Sequence, residues 1–121
     1  MLQRQYRFHG RATLRHLYVQ GKTVRNRALA VRYAANPRRQ DSRLAVVVTR
    51  KVLKAAPGRN RIRRRMYELI RTHWPQLRPG YDILITVYEP RFVDMPADEL
   101  QTLVLELLSQ AHLLQSERRA S

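Results

Sequence analysis

The side chains best suited to chemistry in this sequence are arginines packed into a short stretch. Residues 58–71 read GRNRIRRRMYELIR, and five arginines fall within the seven residues from Arg59 to Arg65. Guanidinium groups this close repel one another unless solvent screens them or a polyanion binds there. Because the planar guanidinium suits bidentate contact with phosphate, the stretch indicates phosphate binding.

A helix over this stretch would have one apolar face and one cationic face. The residues expected to pack against the core are Ile62, Met66, Leu69, Ile70 and His73. The residues expected on the opposite face are Asn60, Arg61, Arg64, Glu68 and Arg71. The cationic face would lie open to solvent or to a partner.

A solvated face with ion pairs is the simplest alternative. Glu68 can pair with Arg64 or Arg71, each pair contributing about 0.2–0.5 kcal/mol. One carboxylate cannot neutralise five guanidinium groups, and cations near a helix N-terminus oppose its dipole by roughly 0.3–1 kcal/mol each. A bound phosphate reverses that sign, so nucleic-acid binding is the preferred interpretation.

Charge is divided unevenly along the chain. The 121 residues carry a net charge of +15. Residues 1–71 hold 20 Lys and Arg against Asp41 and Glu68, whereas residues 72–121 hold 4 Lys and Arg against 7 acidic residues. Charge of this size points to nucleic acid or an anionic membrane as the partner. No apolar run is long enough to cross a membrane, so the first part of the chain is expected to bind nucleic acid.

The basic part lacks the residues that protein nucleases need. Hydrolysis of a phosphodiester usually requires carboxylates that hold metal ions, or a histidine pair. Asp41 and Glu68 stand apart, and the four histidines show no spacing typical of a zinc or catalytic site. There is no cysteine, which fits a reducing cytoplasm. The residues therefore predict an RNA-binding subunit without its own active site.

Six elements are expected to position the arginines. The pattern predicts a helix over 12–20, strands over 24–35 and 44–49, the arginine helix ending before Trp74-Pro75, a strand over 81–88 and a final helix from Pro96. This α-β-β-α-β-α order, with an extra strand if residues 24–35 bend, indicates an α+β fold: a two-layer sandwich with helices on one face of a single sheet. Residues 1–121 would form one RNA-binding domain. An Arg-rich N-terminus is also typical of a transit peptide, but Leu14, Leu17 and Tyr18 favour a packed helix.

Several segments together resemble the bacterial ribonuclease P protein subunit. They are YRF, LRHLY and QGK near the N-terminus, RLAVVVTRK at 43–51, RNRIRRRMYELIR at 59–71 and YDILITV at 81–87. The resemblance covers nearly the whole chain. It implies a mixed sheet with a left-handed βαβ crossover around the arginine helix, where general handedness rules predict a right-handed one.

The resemblance also implies which residues bind RNA. The family's protein binds the catalytic RNA through its Arg-Asn-Arg helix. Tyr67 stands where the family commonly has another arginine. The residues predicted to bind RNA are Arg50, Lys51, Arg59, Asn60, Arg61, Arg63, Arg64, Arg65 and Arg71.

In that family the 5′ leader of precursor tRNA lies in a cleft between the first helix and the sheet. The positions expected to line it are Phe8, Leu14, Tyr18 and Tyr33. Leu14 takes the place of a cleft phenylalanine, whereas Tyr18 matches a second aromatic residue. Ordinary core packing is the alternative for Tyr18 and Tyr33.

The resemblance implies an accessory subunit of an endoribonuclease that matures the 5′ end of tRNA. The catalytic groups and Mg²⁺ would belong to the RNA, with one protein bound to each RNA. The main alternative is a ribosomal or other structural RNA-binding protein. A DNA-binding protein comes third, because no helix-turn-helix or zinc pattern is present.

Overall fold

Helices and strands alternate along the chain, and a computed structural model gives their bounds. The structure describes Arg7 and residues 11–115, with residues 11–13 described by their backbone alone. Short 3₁₀ helices lie at Trp74–Gln76 and Pro90–Val93. The main elements are α1 (Arg11–Gln20), β1 (Lys22–Arg25), β2 (Leu29–Ala35), β3 (Arg43–Val48), α2 (Ala56–Thr72), β4 (Tyr81–Val87) and α3 (Ala97–Gln110).

These four strands form one mixed sheet in the order β1-β2-β4-β3. β2 pairs antiparallel with both β1 and β4, whereas β3 and β4 run parallel. A parallel pair needs a crossover connection, and α2 supplies it. The predicted α+β class and mixed sheet are confirmed. The left hand of the crossover stays a prediction.

β1 and β2 form a hairpin where the pattern predicted one strand over residues 24–35. The Asn26 side-chain oxygen accepts hydrogen bonds from the backbone N–H groups of Ala28 and Leu29, both at 2.8 Å. An asparagine that bonds the backbone two or three residues ahead stabilises a turn. The single strand was therefore wrong, and the alternative with an extra strand is the one adopted.

The two faces of the sheet pack against different helices, since strand side chains point alternately to opposite faces. α2 and α3 cover the main core, and α1 covers a smaller cluster in which Leu17 packs with Ala34 and Leu84. The prediction that the helices cover one face was wrong for α1. The buried strand residues of the main core are Leu29, Val31, Leu44, Val46, Val48, Ile83, Ile85 and Val87.

α2 packs on the sheet much as its periodicity predicted. Ile62, Met66 and Ile70 are buried, and Leu69 and His73 are half-buried. The prediction of an apolar face is confirmed. This packing directs Arg61 and Arg64 away from the core.

The start of α2 depends on a glycine. A Cβ atom at Gly58 would lie 2.4 Å from a methyl carbon of Leu53, which is closer than side chains approach one another. Pro57 lies in the first turn, where its missing N–H costs nothing. The loop that carries Arg50 and Lys51 can therefore lie close against the helix that carries the arginines.

α3 closes the main core. Pro96, the predicted first helical residue, immediately precedes the helix, which begins one position later at Ala97. Leu114 lies beyond the helix and forms an isolated bridge with Leu77. The buried residues of the helix are Leu100, Val104, Leu107 and Leu108. Every helix among the described residues is too short or too polar to cross a membrane.

Candidate nucleic-acid interface

The arginines of α2 are held in different ways, and Arg65 is the most fully engaged. Its guanidinium donates hydrogen bonds to the carbonyl oxygens of Phe92 at 2.8 Å, Val93 at 3.3 Å and Met95. These carbonyls belong to the connection between β4 and α3. Arg65 therefore braces that connection, and its predicted contact with RNA stays a prediction.

Arg61 reaches the same connection from the solvent side. Its Nε–H donates to the carbonyl oxygen of Val93 at 2.6 Å, while the residue as a whole stays exposed. A single bond through Nε leaves the terminal nitrogens of the guanidinium to other acceptors. Arg61 can therefore be oriented by the protein and still bind a phosphate.

The first two turns of α2 carry two further constrained side chains. Arg59 donates to the carbonyl oxygens of Leu53 at 2.8 Å and Lys54 at 2.6 Å, so it ties the preceding loop to the helix. Arg63 donates to the side-chain oxygen of Asn60 on the exposed surface. Within the Arg-Asn-Arg motif, Arg59 and Asn60 therefore already form hydrogen bonds before any ligand binds.

Arg50 and Lys51 lie beside this first turn. They line a shallow depression together with Lys54, Ala56 and Arg59. Arg50, Lys51 and Lys54 are exposed, and within the described part of the chain none of their side-chain cations has a hydrogen-bond or ion-pair partner. The depression therefore gathers cationic groups from the loop and the helix into one anion-attracting surface.

Glu68 pairs with Arg71, one of the two partners that its spacing allows. The Arg71 Nε and terminal nitrogen donate to one carboxylate oxygen of Glu68 at 2.8 and 2.6 Å. These hydrogen bonds lower the pKa of Glu68. Arg64 is exposed, and among the described residues it has no hydrogen-bond or ion-pair partner. Arg64 is thus the arginine of α2 most open to a ligand.

Tyr67 is buried, although it stands where a further cation was expected from the resemblance. Its hydroxyl oxygen accepts a hydrogen bond from the backbone N–H of Val46 at 3.2 Å. The Arg7 guanidinium lies 5.8 Å from its ring centroid. Burial raises the pKa of the Tyr67 hydroxyl. The position therefore serves the packing of α2 on β3.

α1 presents Tyr18 to solvent. Leu17 is fully buried and Leu14 is half-buried, whereas Tyr18 is 58% exposed. The Arg32 guanidinium lies 4.9 Å from the Tyr18 ring centroid and donates to the carbonyl oxygens of Leu17 and Tyr18, both at 3.4 Å. The core alternative for Tyr18 is wrong. The ring is held on the surface by a cation–π contact.

Tyr33 has a different environment. Strand alternation places it on the same face as Val31, opposite to α1, and it packs at the edge of the main core. Its ring lies 6.4 Å from the Tyr81 ring, measured between centroids. The structure therefore does not bring Tyr33 and Tyr18 together on one face. Phe8, the remaining predicted cleft residue, lies outside the described residues.

Arg32, Arg25 and Tyr88 are surface residues that the sequence did not single out. Arg25 lies with its guanidinium 5.4 Å from the Tyr88 ring centroid, and Tyr88 is 42% exposed. The alternation of side chains along β2 could have shown that Arg32 points away from the main core. The pairing of strands, which no local pattern gives, was needed to place Arg25 beside Tyr88.

Acidic residues and histidines are dispersed. In residues 11–115 and at Arg7, no group of three or more acidic residues or histidines could hold a metal ion. Asp82, buried at the end of the sheet, accepts hydrogen bonds from Arg43 at 2.9 and 3.1 Å and from Asn36 at 3.0 Å. Asp82 is thus committed to a structural ion pair.

Comparison with known proteins gives one consistent result. The family model described as Ribonuclease P matches residues 2–112. A ribonuclease P protein component of Symbiobacterium thermophilum is 36% identical over 116 residues, covering 96% of this chain and 99% of that protein. The corresponding protein of Chloroflexus aurantiacus is 36% identical over 113 residues, covering 93% of this chain and 82% of that protein.

Solved structures agree with the sequence comparisons. The RNase P protein of Staphylococcus aureus superposes with a TM-score of 0.81 at 26% identity, covering 91% of this chain and 98% of that one. The RNase P protein of Thermotoga maritima superposes with a TM-score of 0.76 at 26% identity, covering 86% of this chain and 96% of that one. The mixed sheet and its helices are therefore shared with those proteins.

Proposed function

Because the chain belongs to the ribonuclease P protein family, as a subunit of that tRNA-processing ribonucleoprotein, we propose that the surface around the first turn of α2 binds the catalytic RNA. The observation that carries this proposal is a set of exposed cations whose side chains have no hydrogen-bond or ion-pair partner among the described residues: Arg50, Lys51, Lys54 and Arg64. Exposed, unpaired cations can release condensed counterions from RNA when they contact phosphates.

The constrained arginines would assist these free cations. Arg59 and Arg63 are held by hydrogen bonds to Leu53, Lys54 and Asn60, so little side-chain entropy is lost when they meet a phosphate. Arg61 is aimed by its bond to Val93. The arginine stretch is thus divided between side chains that hold the fold and side chains that remain available.

A second surface is proposed for the 5′ leader of precursor tRNA. α1 lies across the sheet through Leu17 and leaves Tyr18 exposed beside Arg32. An exposed ring next to a cation suits a single-stranded nucleotide, since any base can stack on the ring while the cation attracts the backbone. Leu14 provides apolar contact on the same helix but no aromatic ring.

The chemistry of cleavage is proposed to come from the RNA. The chain takes part in an endoribonuclease complex, and we assign the catalytic groups and the bound Mg²⁺ to the RNA subunit. The protein would lower the repulsion between the phosphates of enzyme and substrate and hold the leader. One protein per RNA and a cytoplasmic location are part of the same proposal.

Reconstitution tests this function. The chain is combined with a bacterial ribonuclease P RNA, and maturation of the 5′ end of a precursor tRNA is measured with Mg²⁺ at near-physiological concentration. We expect faster maturation than with RNA alone and no cleavage by the chain alone. A chain that binds RNA without changing maturation would instead support a structural RNA-binding protein.

A further inference from the structure

A second arginine–tyrosine pair lies on the sheet surface that α1 leaves open. Arg25 ends β1 with its guanidinium 5.4 Å from the Tyr88 ring centroid, just beyond β4. Both residues are exposed, Tyr88 by 42%. This arrangement repeats the Arg32–Tyr18 pair, whose separation is 4.9 Å.

Strand register relates the two pairs. Arg25 is opposite Ala30, and Thr23 is opposite Arg32, so Arg25 and Arg32 are diagonal neighbours on one face of the β1–β2 hairpin. Diagonal neighbours lie about 7–8 Å apart. Thr23, opposite Arg32, is exposed, whereas Ala30, opposite Arg25, is buried. The two arginine–tyrosine pairs therefore lie on the same face of the sheet.

The charge of this surface suits a nucleic-acid strand. Arg25 and Arg32 lie on this face, and Arg27 lies in the turn that joins the two strands. The carboxylate of Glu89, beside Tyr88, forms an ion pair with Arg91 at 2.5 Å. Its negative charge is therefore compensated, and the electrostatic potential near Tyr88 remains positive. Rings interleaved with cations are the features by which proteins bind single strands without strong sequence preference.

We propose that the Arg25–Tyr88 pair is a second stacking position, occupied by an unpaired leader nucleotide different from the one at Tyr18. This inference rests on the proposed function and extends it, because it makes the hairpin surface part of the leader path. The path then runs across β1, β2 and the end of β4. A leader too short to reach both rings would stack on only one of them, so only that contact would contribute to its affinity.

A series of leader lengths tests the proposal. Tyr88→Leu and Tyr88→Phe are assembled with the RNA, and the Kd is measured for precursors whose leaders lengthen one nucleotide at a time. Tyr88→Leu should weaken long-leader binding about 5- to 100-fold, the range expected for one stacked base, and should leave mature tRNA unaffected. Tyr88→Phe, which keeps the ring, should bind like the unchanged chain.

The leader length at which the substitution first weakens binding decides whether the two rings hold different nucleotides. The penalty of Tyr88→Leu should appear at a leader length different from that of Tyr18→Ala, because the two rings would hold different nucleotides. Arg25→Ala should weaken long-leader binding more than Arg27→Ala, which removes the same charge from an exposed arginine without a ring partner among the described residues. Equal onset lengths, or a Tyr88→Leu variant that binds every leader normally, would overturn the inference.

Failure of the proposed function is measured separately. If the unchanged chain stimulates 5′ maturation while Tyr88→Leu has no leader-dependent effect, only the second stacking position is lost. If the unchanged chain gives no stimulation, both proposals fall. A lowered melting temperature of Tyr88→Leu, with equal losses on precursor and mature tRNA, would assign Tyr88 to the fold and overturn the inference.

Discussion

The hydroxyl oxygen of Tyr67 accepts a hydrogen bond from the backbone N–H of Val46 at 3.2 Å, so a residue of α2 satisfies a backbone donor of β3, the strand at the edge of the sheet. Among the described strands β3 pairs only with β4, and Leu44 of β3 also forms an isolated parallel bridge with Arg7. The outward N–H groups of β3 need other partners, because a buried donor without one costs free energy. Tyr67 supplies a partner at the middle of the strand and fixes the position of α2 on the sheet.

Removal of this hydroxyl should therefore lower stability and leave RNA binding intact. Tyr67→Phe deprives the Val46 N–H of its acceptor, and we expect a loss of about 1–3 kcal/mol in the free energy of unfolding. Denaturant unfolding measures it, with RNA affinity measured on the same preparation. Unchanged stability together with weaker RNA binding would mean that the hydroxyl faces the RNA.

Arg65 and Arg64 should respond in opposite ways to the loss of their guanidinium groups. Arg65→Ala removes hydrogen bonds to the carbonyls of Phe92, Val93 and Met95, so stability should fall by roughly 1.5–3 kcal/mol. Arg64→Ala should keep the melting temperature and weaken RNA binding, lowering the salt slope by about 1 for one lost phosphate contact. Unchanged RNA affinity in Arg64→Ala would support the solvated-face alternative.

Salt should weaken RNA binding steeply. The cations of residues 1–71 release counterions when they meet phosphates, so the logarithm of the association constant should fall linearly with the logarithm of salt concentration. Filter binding or fluorescence titration at four or more salt concentrations gives the slope. A slope near zero would contradict an interface built on phosphate contacts.

Tyr18→Ala should impair leader recognition more than folding. Because the ring is 58% exposed, little core contact is lost, and the melting temperature should change little. Binding of a leader-bearing precursor should weaken by about 1–3 kcal/mol, with mature tRNA unaffected. Val19→Ala, at the adjacent and 71% exposed position, is the matched control.

The converse substitution at Leu14 checks the same surface. Leu14→Phe restores an aromatic ring at a half-buried position of α1, one turn before Tyr18. If Leu14 faces the leader, the variant should bind the precursor more tightly. Tighter binding to mature tRNA as well would contradict a leader contact.

Local sequence patterns determined much of this protein. The repeat of Ile62, Met66 and Ile70 predicted which side of α2 packs, since helical periodicity is a property of neighbouring residues. The imbalance of charge between residues 1–71 and the rest predicted an anionic partner. The Arg-Asn-Arg motif with its flanking segments was enough to indicate the family, and comparison confirmed it.

Only the tertiary structure decided what each exposed or buried side chain does. Arg65 and Arg64 are neighbours in the same arginine run, yet backbone carbonyls about thirty residues away hold Arg65, whereas Arg64 has no hydrogen-bond or ion-pair partner among the described residues. Tyr18 and Tyr33 both stand in apolar stretches of sequence. They lie on opposite faces of the sheet, because α1 packs on one face and α2 and α3 pack on the other. Such contacts join residues distant in the chain, whereas propensity and periodicity act over only a few residues. The order of the strands and the face of the sheet on which each helix packs determine these contacts.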